Sequence, residues 1–453
     1  MPIKLFGTDG IRCEANSEPM TPETIVKIAK ATGDILFRYC EDIPDVVIAR
    51  DTRVSGPMIE AALIAGFSAM GADVHLTGII PTPAVPFLIN MMEADAGVMI
   101  SASHNPADDN GIKLFSSTGY KLTDEEELDI ERSFESKAYN RTVAFPINTG
   151  RYYKIADAQK QYIDYLYDSV LGLKLFGLKI VIDCANGAAS PIVPELFDQL
   201  GAKVYIVNNQ TDGERINEHC GSTCPESIQD YVMDYDADLG ISFDGDADRV
   251  IMCDEYGHIL NGDHILGICG IDLIHKNELP HRTIVATQYS NSGLDDTLKK
   301  YGGHVVRVLN GDRYVIEKMN QKGYILGGES SGHIIFKLLS FTGDGILTAL
   351  QVLNIMSEYD VTLSMLRKGI TMYPQYQMSV PVSEKKAFDQ MPDVKKAIDD
   401  VRLKLEHSGR VLVRYSGTES KVRIMVEGQD KSQIESDANY IADAIVKDIG
   451  IEK

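Results

Sequence analysis

A unit of strand, helix, strand, connection and strand recurs three times along this chain, and that recurrence limits its possible folds more than any other feature. The opening strands read Val46-Val47-Ile48-Ala49, Ile180-Val181-Ile182-Asp183 and Thr283-Ile284-Val285-Ala286. A helix-compatible segment follows each; in 57–70 the apolar Ile59, Leu63 and Phe67 fall on one face. A glycine then ends the helix and leads into a second strand, at Gly71, Gly201 and Gly302. Third strands at 97–100, 239–243 and 324–326 each run into a loop crowded with polar side chains. This order predicts a mostly parallel α/β sheet in every repeat. Ligands of open α/β sheets bind beyond the carboxyl ends of the strands, which is where the three loops fall.

A chain of 453 residues is too long for one core. The pattern breaks near 153, 255 and 370, so the expected domains are 1–153, 154–255, 256–370 and 371–453. The expected fold class is α/β: three repeated mixed α/β domains, then a smaller C-terminal α+β domain with strands near 410–414 and 422–426 and a closing helix from Ser432.

The formal net charge of −22 disfavours nucleic acid and anionic membrane as partners. Any phosphate-bearing ligand must then be held by a local concentration of Arg, Lys and backbone N–H groups. No run of eighteen apolar residues is present and Met1 is not followed by an apolar leader-like stretch, so neither a membrane span nor a signal peptide is expected. The 7 cysteines are odd in number and scattered, which suggests reduced thiols and a cytoplasmic protein. Cys220 and Cys224 have a metal-like gap, but no second Cys or His pair joins them.

The first loop is Ser101-Ala102-Ser103-His104-Asn105-Pro106, where Pro106 stops ladder pairing. Ser103 reads either as a nucleophile or as a turn residue bonded to local backbone. His104 follows it directly, and neighbours on an extended segment point apart, so a hydrolase triad is not supported. The second loop carries Asp244, Asp246 and Asp248 at alternate positions. Three carboxylates that close repel one another unless a cation sits among them, and hard oxygen ligands favour Mg²⁺, with Mn²⁺ or Ca²⁺ as substitutes. An EF-hand is a poor fit, because Arg249 occupies the position where that loop needs glycine. Arg249 beside the carboxylates is placed to hold a phosphate near the ion.

The third loop, 327–333, offers Glu329, Ser331 and His333 to sugar hydroxyls, or is simply a Gly-rich turn. In the tail, Arg414-Tyr415-Ser416-Gly417-Thr418-Glu419 with Arg423 reads as an anion nest or as a hairpin turn. Arg12, Lys113 and the stretch 311–314 are further phosphate or acid–base candidates.

Together these residues resemble the α-D-phosphohexomutase superfamily, most closely its bacterial phosphoglucosamine mutase group. The resemblance is carried by Phe6-Gly7-Thr8-Asp9-Gly10-Ile11-Arg12, the serine loop with Asn110-Gly111-Ile112-Lys113, and the aspartate loop. It continues through Gly311-Asp312-Arg313-Tyr314-Val315, the Gly-Glu-Ser-Ser-Gly-His stretch at 328–333, Thr342-Gly343-Asp344-Gly345, and 414–419.

The resemblance implies four domains around a central cleft. It implies that Ser103, not Ser101, carries a phosphate, and that Mg²⁺ is held by Asp244, Asp246, Asp248 and an oxygen of that phosphoserine. It implies sugar contacts from Glu329 and Ser331, and a mobile phosphate-binding loop with Arg414, Ser416, Gly417 and Thr418. A phosphoserine enzyme of this kind gives its phosphoryl group to the sugar, forming a hexosamine or hexose 1,6-bisphosphate. That intermediate turns around, and the serine recovers phosphate from the other position. Acid–base duty then falls on Lys113 or His333, with Arg12 stabilising charge.

The expected reaction is interconversion of glucosamine 6-phosphate and glucosamine 1-phosphate by a cytoplasmic isomerase of amino-sugar metabolism, monomer or homodimer. The alternative is a phosphoglucomutase/phosphomannomutase acting on neutral hexose phosphates. A metal-dependent phosphatase and a catalytically silent sugar-phosphate binder are the readings from other classes. The chain departs from the group's pattern at Cys13, Ser330, Tyr415 and Ser420. Ser330 borders the sugar-reading residues, and the last two positions usually hold prolines.

Overall fold

The computed structural model describes residues 4–7, 9–38, 40, 42–405, 409–416 and 420–450. The chain forms two compact units. The first runs to Tyr289 and resumes over Tyr301–Gly369; the second combines Ser290–Lys300 with the chain from Ile370 onward.

The first unit contains three sheets. One holds β1 (Ile11–Glu14), β2 (Asp45–Arg50), β3 (Asp73–Ile79), β4 (Ala96–Ile100), β5 (Asp109–Ser116) and β6 (Tyr152–Lys154), in the order β1-β5-β4-β2-β3-β6. The next holds β7 (Lys179–Asp183), β8 (Lys203–Val207), β9 (Leu239–Phe243), β10 (Val250–Asp254) and β11 (Ile259–Leu260), in the order β11-β10-β9-β7-β8. The last holds β12 (Thr283–Thr287), β13 (His304–Val308), β14 (Leu326–Gly328) and β15 (Ile334–Phe336), in the order β13-β12-β14-β15.

The repeat expected from the sequence is therefore a repeat of topology. In each sheet the first strand is central, with the second and third strands parallel to it on either side. A fourth strand returns antiparallel to the third. Each functional loop is the connection between third and fourth strands. The third strand of the last repeat pairs at 326–328 rather than 324–326, since its partners β12 and β15 engage Gly327 and Gly328.

One glycine recurs with the topology. Gly97, Gly240 and Gly327 each stand second in the third strand. A Cβ there would lie 2.5 Å from Ile89 Cδ1, 2.6 Å from Ile228 Cγ1 and 2.8 Å from Met319 Sδ respectively. The absent side chain lets a helix press directly onto the strand that delivers the loop, over cores such as Val46, Ile48, Leu63, Phe67 and Val98.

The second unit is built on an antiparallel sheet of β16 (Gln375–Pro381), β18 (Lys421–Gly428) and β17 (Gly409–Tyr415), in that order. The helices Pro392–Leu405 and Lys431–Ile449 pack on it through Val394, Ile398, Val401, Ile441 and Ile445. This is the α+β unit expected for the tail. It also takes in the helix Gly293–Lys300, held by Ser292 N–H to Glu427 Oε1 at 3.1 Å and Thr371 N–H to Thr297 Oγ1 at 2.8 Å.

Candidate active site

Within the first unit the serine loop after β4 and the aspartate loop after β9 meet. Ser103 adopts φ +53°, a left-handed conformation uncommon for a residue with a Cβ. Its Oγ donates to Asp244 Oδ2 at 2.6 Å, and both residues are fully buried. Ser101 lies behind it: Ser101 Oγ accepts from Ser103 N–H at 2.9 Å and donates to Asp51 Oδ2 at 2.7 Å. Ser101 therefore braces the loop, and Ser103 presents its hydroxyl to the acids.

The Asp244, Asp246 and Asp248 carboxylates offer oxygens within 4.8 Å of one another, and all three residues are buried. Asp246 Oδ1 and Asp248 Oδ1 have no hydrogen-bond partner. Buried oxygens of that kind are costly unless an ion engages them, so the donor set fits a divalent cation with a preference for hard oxygen ligands. Burial together with the neighbouring Asp248 and Asp246 charges pushes the Asp244 carboxyl well above its usual range. Burial also acts upward on Asp248, but Lys113 and His333 outweigh it and hold that carboxyl well below.

Lys113, on β5, points its ammonium into this cluster. Nζ donates to Asp246 Oδ2 at 2.6 Å and Asp248 Oδ2 at 3.2 Å, and stands 3.5 Å from Asp9 Oδ2. Burial works against its charge, yet the two aspartates prevail and raise its pKa far above the ordinary lysine value. Arg249 bonds through its backbone N–H to Asp244 Oδ1 at 3.1 Å and through Nη1 to His104 Nδ1 at 3.1 Å. Burial and the Arg249 and Arg12 charges lower the His104 imidazole to about 4, so that ring is neutral near pH 7. Arg12 donates from Nη1 to Ala102 O at 3.2 Å and pairs with Asp9.

The third loop stands beside the second. Val250 N–H donates to Gly332 O at 3.1 Å, joining the two backbones. His333 is 3% exposed, and its Nδ1 lies 3.7 Å from Asp248 Oδ1. Gly343 N–H donates to Nε2 at 3.1 Å, which puts the neutral ring's proton on Nδ1, towards Asp248. Glu329 Oε1 accepts from Gly311 N–H at 2.9 Å, and Ser331 Oγ donates to Glu329 Oε2 at 3.4 Å. Ser103, Lys113, His333, Arg12, Arg249 and the three aspartates thus form one neighbourhood, with Glu329 and Ser331 on the adjoining loop.

In the second unit Arg414 and Arg423 are register partners on β17 and β18, and Ser416 is buried with its N–H donating to Lys421 O at 2.8 Å. Gly417 and Thr418 lie outside the described residues. Cys220 and Cys224 belong to no metal-ligand cluster among the described residues, where the aspartate triad is the group found.

Four family models cover the chain in order. The phosphoglucomutase/phosphomannomutase alpha/beta/alpha domains I, II and III match residues 3–141, 160–257 and 261–373, and the C-terminal domain matches 378–444. The chain belongs to the phosphoglucomutase/phosphomannomutase family. Among its relatives, the phosphoglucosamine mutase of Geotalea uraniireducens (strain Rf4) is 47% identical over 448 residues, 99% of this chain and 98% of the relative. That of Geobacter metallireducens is 48% identical over 448 residues, 99% of each. A phosphoglucomutase/phosphomannomutase family protein from Burkholderia thailandensis has the same fold, with a TM-score of 0.82, 24% identity and 99% of both chains covered. So has Aspergillus fumigatus N-acetylphosphoglucosamine mutase, solved in complex with GlcNAc-6P and magnesium, with a TM-score of 0.69, 19% identity and 98% and 95% of the chains covered.

This phosphohexomutase is an isomerase that moves a phosphoryl group within a sugar phosphate. Several residues around its site escape a reading of loops that follow third strands. Asp51 and Arg53 follow β2, a first strand, and are fully buried. Asn217 comes from the long connection after β8 and donates to Ser103 O at 2.9 Å. Lys121 bridges Asp9 and Asp312. The carboxyl-end rule applies to first strands as well, and extending it to β2 would have found Asp51 and Arg53.

Proposed function

We propose that this mutase interconverts glucosamine 6-phosphate and glucosamine 1-phosphate through a phosphorylated Ser103 and a 1,6-bisphosphate. The observation that carries the reading is the Ser103 hydroxyl held 2.6 Å from an acid of a buried, cation-ready triad. Asp244, Asp246 and Asp248, with an oxygen on Ser103, would hold Mg²⁺. When bound, that ion neutralises phosphoryl oxygens and makes transfer electrostatically easier.

Ser103 Oγ carries the phosphoryl group. In transfer its O–P bond breaks, a bond to a sugar oxygen forms, and the sugar hydroxyl yields its proton. The second half-reaction returns phosphate from the other sugar position. Lys113, held as an ammonium by its carboxylates far above the ordinary lysine pKa, supplies charge balance rather than a proton. His333, whose pKa burial lowers but Asp248 and Asp312 raise more, is the group suited to proton transfer, through the Nδ1–H that faces Asp248. Arg12 and Arg249 balance phosphate charge. Glu329 and Ser331 bind the sugar. Arg414, Ser416, Gly417, Thr418 and Arg423 bind the phosphate that is not being transferred, with the bisphosphate serving as activator.

The amino sugar is favoured by full-length relatives at 45–48% identity that carry the phosphoglucosamine mutase name, and by the Glu329 carboxylate as partner for an ammonium. No helix among the described residues is long and apolar enough to cross a membrane. We read the enzyme as cytoplasmic and as a monomer or homodimer with a phosphosugar as its partner, and the net charge of −22 disfavours nucleic acid and anionic membrane. Coupled assays on glucosamine, glucose and mannose phosphates test the choice. The highest kcat/KM is expected for glucosamine phosphate, and a higher value for a neutral hexose would overturn it.

A further inference from the structure

The backbone carbonyls of Ser103 and Asn105 are each gripped from two sides. Arg53 Nη2 donates to Ser103 O at 3.0 Å and to Asn105 O at 2.8 Å. Asn217 Nδ2 donates to the same two oxygens, at 2.9 Å and 3.1 Å. Arg53 also reaches Asp109 O at 2.7 Å and Pro106 O through Nη1, so that guanidinium spans the whole turn after Ser103.

Arg53 is itself fixed. Its Nε donates to Asp51 Oδ2 at 3.0 Å, and both side chains are fully buried. The same Asp51 oxygen receives Ser101 Oγ, whose oxygen accepts the Ser103 N–H. Backbone oxygen and backbone N–H of Ser103 are therefore both tied to one Asp51–Arg53 pair.

Asn217 comes from the other α/β repeat, the one that supplies the aspartates. It has φ +61°, and its N–H donates to Ala185 O at 3.0 Å. Gly245, inside the aspartate loop, lies against the same Ser103 carbonyl. A Cβ on Gly245 would stand 2.6 Å from Ser103 O and 2.8 Å from Asn217 Nδ2, so the two loops touch backbone to backbone. A left-handed serine at such a junction is held by its surroundings rather than by its own preference. A planar fork with several donors suits that task in a way that a lysine ammonium does not.

We propose that Arg53 and Asn217 are positioning residues that clamp the serine loop from two sides and set Ser103 Oγ against the aspartate triad for phosphoryl transfer. The proposal rests on the reading of Ser103 as the phosphate carrier. Neither side chain contacts Ser103 Oγ; both act through its carbonyl. Since they hold the same two oxygens, each partly covers for the other, and losing both should cost more than the two single losses combined.

The test compares wild type, Asn217→Ala, Arg53→Lys and the double variant. Asn217 is only partly buried, so its truncation spares the core even if Arg53→Lys folds poorly. Glucose 1,6-bisphosphate is the phosphate donor, and phosphate on the 101–113 peptide is followed by quench and mass spectrometry beside steady-state kinetics. The single variants are expected to lower both kcat and the initial rate of Ser103 phosphorylation at least ten-fold, with KM within two-fold of wild type. The double variant should fall at least a further ten-fold below the worse single. Wild-type phosphorylation and turnover in Asn217→Ala would overturn the clamp while leaving the phosphoserine intact. So would a loss that tracks the fall in Tm and disappears at 10 °C. A wild-type enzyme that takes no phosphate on Ser103 would overturn both readings.

Discussion

Lys113 Nζ lies 2.6 Å from Asp246 Oδ2, with both side chains buried, so the cation-ready triad already holds one fixed positive charge. That ammonium offsets part of the repulsion among the three aspartates and belongs to the folded state whether or not a divalent ion is present. Removing one partner of a buried pair leaves the other charge uncompensated, typically at a cost of about 3–5 kcal/mol. Lys113→Met should therefore lower Tm sharply in chelator, and millimolar Mg²⁺ should restore most of the loss. Wild type should respond to Mg²⁺ far less. A variant Tm indifferent to Mg²⁺ would contradict the charge-balance account. Turnover should fall by at least about a hundred-fold even with Mg²⁺, because a fixed positive charge beside the transferring phosphoryl group is gone.

Ser103→Ala should remove at least about a thousand-fold of kcat, as loss of a covalent carrier does. The fold should survive, since Arg53 and Ser101 still hold the loop through Ser103 backbone atoms when the Oγ bond to Asp244 is lost. Mass spectrometry of the 101–113 peptide should show phosphate in wild type and none in the variant. Near-normal turnover in Ser103→Ala would remove the serine from the mechanism. Ser101→Ala makes a useful contrast: it deletes the bond to Asp51 yet keeps the hydroxyl on 103, so partial activity is expected.

Much of this architecture is legible in the sequence because its signals are local. A β-rich run, an amphipathic segment and a glycine before the next strand lie within thirty residues of one another, and the polar loops follow directly. The aspartates advertise themselves by charge at alternate positions. Arg53 and Asn217 do not, because a lone Arg or Asn ordinarily reads as solvated surface. Their meaning arises only when the chain brings them to carbonyls 50 and 114 positions away. Lys121 is hidden for the same reason, its partners Asp9 and Asp312 lying 112 and 191 positions distant. The third strand of the last repeat lies two residues beyond its expected place because a Gly-Gly pair carries no β-propensity, and pairing with β12 and β15 decides it.

Replacing two of the three aspartates, for instance Asp246→Asn with Asp248→Asn, should abolish activity and Mg²⁺ dependence together. It should also release Lys113 from its two shortest contacts and let its raised pKa relax towards the ordinary lysine value. Titrating enzyme with Mn²⁺ and reading bound ion by paramagnetic relaxation checks binding without relying on turnover. Wild-type affinity for Mn²⁺ in the double variant would mean that the ion binds elsewhere.

Two buried groups outside the triad should tilt the pH profile of stability in opposite directions. His264, third residue of the helix Gly262–His275, donates from Nδ1 to Asn261 Oδ1 at 2.8 Å. Burial and the Arg367 charge lower its pKa from 6.5 to about 4. Between those values the unfolded chain binds the extra proton, so stability rises with pH. Asp344 caps the helix Gly345–Tyr359, accepting from Leu347 N–H at 2.9 Å and Tyr162 Oη at 2.8 Å. Burial raises its pKa from 3.8 to about 6. There the folded protein holds the proton, so this contribution is greatest in acid and is lost as pH rises through about 6. Each effect is about 3 kcal/mol at 1.4 kcal/mol per pH unit. Denaturation midpoints measured from pH 4 to 7 should show His264→Gln gaining relative stability at the acid end. Asp344→Asn, which can still accept from Leu347 N–H and donate to Tyr162 Oη, should gain at the neutral end. Parallel profiles for the two variants would show that neither group titrates as its burial requires.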